Sequence, residues 1–200
     1  MEDKDMDDTE VKESLGKRIW KEVIENAKIF IYCFIFIYLL TSFVIKPIRV
    51  DGRSMYPTLS DGDVGITNVF AAKFLSVSRY DVVIVHNEQR DENWVKRIIA
   101  LPHETIEGKD DVIYINGSPI DQPFLDTPYV NDIKKTGLFT TDFGPYTMGE
   151  DEYFLMGDNR ILSEDSRAHG PFIGDDIVGK DALIIYPFKH WNYVHNTIDK

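Results

Sequence analysis

The sequence predicts a mainly β fold: an antiparallel β-sheet domain behind a single N-terminal transmembrane helix. Three observations carry that expectation. Residues 29–45 contain no charged side chain. Beyond residue 50 the apolar residues gather in short runs rich in β-branched and aromatic types, bounded by Gly, Pro, Asn or Asp. No amphipathic helical period is sustained over that stretch, apart from a turn around Asn68 to Leu75.

Residues 1–28 form an acidic and polar tail, and 1–16 read as solvated chain with no assigned role. Residues 29–45, IFIYCFIFIYLLTSFVI, follow as the anchor. As a helix they span about 26 Å against a hydrocarbon core of about 30 Å. Lys28 and Lys46 bracket the run and snorkel to the two interfaces. No polar face recurs at helical spacing, which argues against a buried core helix. The exit TSFVIKPIRV has no small-x-small site, which argues against a cleaved signal sequence. Lys17, Arg18, Lys21 and Lys28 precede the span, while Lys46, Arg49 and Arg53 follow it. By the positive-inside rule the N-terminus is cytoplasmic, by a small margin, so the rest of the chain is extracytoplasmic in a single-pass cell-membrane protein.

Residues 46–200, roughly 155 residues, suffice for one sizeable core. Their strand signals are DVVIVHN (81–87), WVKRIIAL (94–101), VIYING (112–117), EYFLMGD (152–158) and DALIIYPF (181–188). Asn116-Gly117 marks a hairpin turn. Residues 103–150 are looser, richer in Pro, Gly, Asp and Thr, and read as a smaller insertion.

Composition removes several classes of function. The 200 residues carry 22 Lys+Arg against 34 Asp+Glu, a net charge of −12, which argues against nucleic acid as a partner. A lone cysteine, Cys33, excludes a disulfide scaffold and multi-cysteine metal sites. The five histidines (86, 103, 169, 190, 195) lack metal-ligand spacing, and no Walker loop or dinucleotide fingerprint is present. No cofactor and no metal is expected. Ser14-Leu15-Gly16-Lys17 matches a Ser-x-x-Lys pattern, but it precedes the span and reads as chance.

Three segments can carry chemistry. Ser54 sits between Gly52 and Met55-Tyr56-Pro57, on backbone that glycine and proline constrain. Taken alone it reads more readily as an ordinary turn serine. Lys96 falls on an apolar strand face with Ile98 and Ala100, opposite Val95, Arg97 and Ile99. Desolvation there lowers an amine pKa. Service as a general base requires a fall from about 10.4 to about 7–8, roughly 4 kcal/mol. Arg97 cannot replace it, because guanidinium stays protonated. The third segment, Gly157 to Gly170, packs Asp, Asn, Arg and Ser behind a hydrophobic strand, as a loop held by side-chain hydrogen bonds and an Asp–Arg pair does.

Together these pieces resemble the type I signal peptidases (leader peptidases, peptidase S26 family), membrane-anchored Ser–Lys proteases that cut signal peptides from exported proteins. The resemblance runs from the span to about Phe188 with the motifs in family order. Ser54-Met55-Tyr56-Pro57-Thr58-Leu59 resembles the nucleophile box, and Arg79-Tyr80-Asp81-Val82-Val83 the strand that follows it. Lys96-Arg97-Ile98-Ile99-Ala100-Leu101-Pro102 resembles the general-base box, and Gly157 to Gly170 the Gly-Asp-Asn-Arg…Ser-x-Asp-Ser-Arg signature.

The resemblance implies Ser54 as nucleophile, Lys96 as base and Ser163 as the hydroxyl that orients the Lys96 amine. It implies an Asp165–Arg167 pair, with Asp158 and Arg160 as further scaffold. Val50, Met55, Leu59, Trp94 and Val95 match positions near shallow pockets for Ala-x-Ala. The implied partners are preprotein signal peptides and membrane lipid. Two departures stand out. Some members carry an oxyanion-binding serine two residues before the nucleophile; this chain has Gly52 there, as Gram-positive members tend to, and this leaves the second oxyanion donor open. His103-Glu104 replaces the usual Gly-Asp after the base box. The short insertion suits the compact Gram-positive form. The rivals are a self-cleaving repressor of the SOS-response kind, which shares the dyad but carries a DNA-binding domain in place of a span, and a non-catalytic anchored module.

Overall fold

The structure, a computed structural model, describes residues 3–88 and 90–196, and of residues 3–16 and 19 the backbone only. The chain forms two compact units, Met1–Phe43 and Val44–Lys200.

The first unit is one helix, α1, Asp3–Phe43. Its segment Trp20–Phe43 is long and apolar enough to cross a bilayer by length and composition. The helix starts well before the apolar run, through the segment read above as solvated tail, whose residues 1 and 2 lie outside the described ones. Residues 3–28 contain no proline, and extending an existing helix gains a hydrogen bond per residue without a new nucleus. Helix ends where Val44 and Ile45 approach Pro47, which a helix interior does not accept.

In the second unit the strands are β1 Ile45–Arg49, β2 Val64–Asn68, β3 Val82–Asn87, β4 Glu92–Ala100, β5 Thr105–Lys109, β6 Val112–Ile115, β7 Ser118–Pro119, β8 Phe143–Thr147, β9 Glu152–Met156, β10 Phe172–Ile173, β11 Ile177–Tyr186 and β12 Asn192–Val194. Among the described residues three short α-helices intervene: α2 Val69–Phe74, α3 Pro128–Lys134 and α4 Ser166–His169. Every pairing among them is antiparallel. The fold is the mainly β, antiparallel one that the sequence predicts.

The larger sheet runs β1-β2-β11-β3-β4-β9-β10, with β12 paired to β11. β3 lies inside it, and Val82 to Val85 are buried on both faces, which is why that run does not alternate. One face packs Val83, Val85, Ile98, Leu155, Phe172 and Ile177. Val50, Met55, Leu59, Val82, Ala182, Ile184 and Val194 form another cluster. The smaller sheet, β7-β6-β5-β8, occupies the segment 103–150. It joins the larger one through Ile99, Ala100, Ile106, Ile113, Phe154 and Met156. Asn116 and Gly117 turn between β6 and β7 at φ 50° and 78°, the left-handed pair their dipeptide favours.

β4 ties the two sheets together and carries Lys96. Its pairing with β9 shifts register between Ile98 and Ala100. That irregularity ends the alternation, so Ala100 joins the inter-sheet cluster with Ile99. The face expected to hold Lys96, Ile98 and Ala100 together therefore stops at Ile98.

Candidate active site

Gly52 opens the Ser54 turn at φ 89°, a conformation that glycine adopts without strain. Its N–H donates to Asp61 Oδ1 at 2.8 Å. The loop closes where Val50 N–H donates to the Asp63 carbonyl (2.8 Å) and Gly62 N–H to the Val50 carbonyl (2.9 Å). Met55 and Leu59, each 1% exposed, anchor the turn in the core beside Val50 and Val95. Asn159 holds it from the far side. Its N–H donates to the Ser54 carbonyl and its Nδ2 to the Arg53 carbonyl, both at 3.0 Å. Gly157 sits where a Cβ would overlap both the Ser54 carbonyl oxygen and Ser163 Oγ, so this glycine lets the Ser54 turn and the 157–170 loop meet.

Lys96 pairs across to Val83 on β3 and is 3% exposed. Burial lowers its amine to about 8, against a partial upward pull from the Asp165 and Glu164 carboxylates. Nζ lies 5.2 Å over the Trp94 ring. Ser54 and Lys96 line one cleft of about 610 Å³. Among the described residues neither Ser54 Oγ nor Lys96 Nζ has a protein hydrogen-bond partner, and the Ser54 N–H donates to no protein acceptor.

Val50, Met55, Trp94 and Val95 line the same cleft. Leu59 does not. It is packed beneath the turn, in the cluster with Met55 and Ala182, and its place is the core rather than a pocket wall. On β4 the pairing with β9 begins at Arg97, so Trp94 to Lys96 present a strand edge toward the cleft.

The 157–170 loop is held by side-chain hydrogen bonds and ion pairs. Arg167 Nε donates to Asp165 Oδ1 at 2.8 Å and Nη2 to Oδ2 at 2.9 Å. Gly157 N–H donates to Asp165 Oδ2 at 3.0 Å. Burial pushes the Asp165 carboxyl up, but Arg167, Gly157 and Ser163 together hold it below its usual range. Arg160 donates from Nε to the Gly157 carbonyl at 3.0 Å and from Nη2 to Gln122. Ser163 Oγ donates to the Glu164 carbonyl at 3.4 Å, and among the described residues it makes no bond to Lys96.

Sequence reasoning assigned no role to Arg97 or Asn159. Arg97, 3% exposed, donates from Nε (2.8 Å) and Nη2 (2.6 Å) to Asp158, which is fully buried. Thr58 Oγ1 donates to the same carboxylate at 2.5 Å. The signal was present in alternation: if Lys96 faces the cleft, Arg97 faces the interior and needs an acceptor there. Further off, His103 takes φ 66° where the resembled family has glycine, and Glu104 accepts both Arg79 and the Leu101 N–H.

A family profile described as "Signal peptidase, peptidase S26" matches residues 23–186. Signal peptidase I S of Bacillus subtilis (strain 168) is 37% identical over 180 residues, covering 88% of this chain and 95% of that protein. Signal peptidase I of Bacillus amyloliquefaciens is 40% identical over 152 residues, 75% of this chain and 78% of its own. Signal peptidase IB of Staphylococcus aureus (strain MRSA252) is 32% identical over 184 residues, 88% and 96% of the two chains.

Proposed function

The chain belongs to the signal peptidase family, peptidase S26, and is a serine endopeptidase; from that premise we propose that Ser54 and Lys96 form a dyad that removes signal peptides from exported preproteins at Ala-x-Ala sites. The observation that carries the dyad is an amine buried in the cleft that Ser54 lines and held at about 8. At that value a useful fraction is neutral near physiological pH, as general-base catalysis needs.

The steps follow from those two groups. Neutral Lys96 takes the Ser54 proton as Oγ attacks the carbonyl carbon of the scissile bond. The Ser54 N–H, which has no protein acceptor among the described residues, donates to the developing oxyanion. Gly52 N–H is committed to Asp61, so it does not supply the second donor. The Lys96 ammonium returns its proton to the leaving amine as the C–N bond breaks. Water deprotonated by Lys96 then hydrolyses the Ser54 ester. Ser163 supports the pair by packing against Gly157 beside the nucleophile turn, while Asp165–Arg167 and Arg97–Asp158 fix the loop behind it.

The free edge at Trp94 to Lys96 suits an extended peptide that adds as a strand. Val50, Met55, Trp94 and Val95 give it apolar contacts. Trp20–Phe43 serves as the single membrane anchor, with the N-terminus cytoplasmic, the β domain extracytoplasmic and lipid as its surroundings. Cleavage of an Ala-x-Ala preprotein by the membrane-bound protein tests the proposal. Ser54→Ala and Lys96→Ala are each expected to abolish it with the fold intact, and full activity in Lys96→Ala would overturn the dyad.

A further inference from the structure

Two charged side chains meet across the mouth of the cleft without a part in the chemistry above. Arg90, in the turn between β3 and β4, reaches Glu164, in the 157–170 loop, with Nη2 and Oε2 2.6 Å apart. Both residues line the cleft that holds Ser54 and Lys96. Glu164 also has His169 Nε2 at 3.6 Å. Trp94 lies within the same group, with Arg90 5.7 Å from its ring, Lys96 5.2 Å and His169 5.1 Å. Glu164 thus spends its charge on Arg90, and among the described residues it makes no ion pair with Lys96.

We propose that Arg90 is a positioning residue for the reaction: by clasping Glu164 across the cleft mouth it keeps that carboxylate off the Lys96 amine. This rests on the dyad reading of Ser54 and Lys96. Lys96 already feels Asp165, Glu164 and Asp158 as anions and Arg167 as a cation. A carboxylate released from Arg90 is free to pair with the ammonium and hold its proton, which takes the base out of service. Both partners of the clasp are half-exposed, 49% and 58%, so the pair adds little to stability, and its value lies in where it holds the charge.

The test is the pH dependence of kcat/KM for preprotein cleavage by the full-length protein in detergent or vesicles. Arg90→Ala is expected to move the acid limb upward by about half a pH unit, a roughly threefold loss at pH 7 that fades by pH 10. Arg90→Lys should restore much of the wild-type limb, and Glu164→Gln should move it downward. In the Glu164→Gln background, Arg90→Ala should shift the limb by less than half as much, because the carboxylate it would release is gone. A uniform loss at every pH, or an equal shift in both backgrounds, would overturn the role of Arg90. A wild-type profile with no acid limb would instead sink the dyad reading and take this inference with it.

Discussion

Replacing Lys96 by Met removes the base of the proposed dyad, and the fold should gain from the loss. The amine is 3% exposed, and burial lowers it from 10.5 to about 8. That drop means the folded state pays about 3 kcal/mol to hold the cation. The penalty is complete below pH 8, where folded and unfolded chains are both protonated. It shrinks as pH rises from about 8 to 10.5, where only the unfolded chain keeps the proton, and it is gone above that. Methionine has a similar length and no charge to desolvate. Lys96→Met should therefore be more stable at pH 7 by up to about 3 kcal/mol, with the gain vanishing near pH 11. Guanidinium unfolding of the full chain in mild detergent, followed by tryptophan fluorescence at pH 7, 9 and 11, reads this directly, while preprotein cleavage falls to background. A Lys96→Met protein that is less stable at pH 7, or whose difference ignores pH, would refute a dry lysine.

Gly157→Ala places a methyl against the Ser54 carbonyl and Ser163 Oγ; displacement of the Ser54 turn should lower kcat/KM about 100-fold while thermal unfolding shows the fold retained. Asp158→Asn leaves the buried Arg97 charge without its counter-ion and should cost about 3–5 kcal/mol in denaturant unfolding. The double change Arg97→Met with Asp158→Leu should recover most of that loss. Asp165, held below the usual carboxyl range, contributes stability that is complete above the unfolded value of 3.8 and disappears as pH falls through the lower folded value. Acid titration of unfolding should therefore show a loss below about pH 4 that Asp165→Asn does not show.

What the sequence made legible depended on how far each partner lay. The run VVIV announces β3 because both its faces are buried, whichever strands flank it. IKPIR and FGPYT do not read as strands, since each contains a proline and gains its conformation from a neighbour. At Lys96 the alternation gave the face correctly for two residues and failed at the register shift beyond Ile98, which no local pattern encodes. Asp165 and Arg167 are two residues apart and could be paired on paper. Arg97 and Asp158 are 61 apart and meet only because Arg97 faces Met156 on β9. Leu59 carried the residue type of a pocket wall, but its depth below the turn follows from packing against β11. Helix α1 runs on through the acidic segment because charge composition speaks to solvation and says little about backbone conformation.

The ionisation of the Lys96 amine is the most direct test. Carbon-13 NMR of the full-length protein with labelled lysine, in a bilayer mimic, follows each amine through its titration, and the Lys96 signal is the one missing from Lys96→Met. A midpoint near pH 8 is expected. An amine still fully protonated at pH 10 would contradict the assignment of Lys96 as the base that activates Ser54.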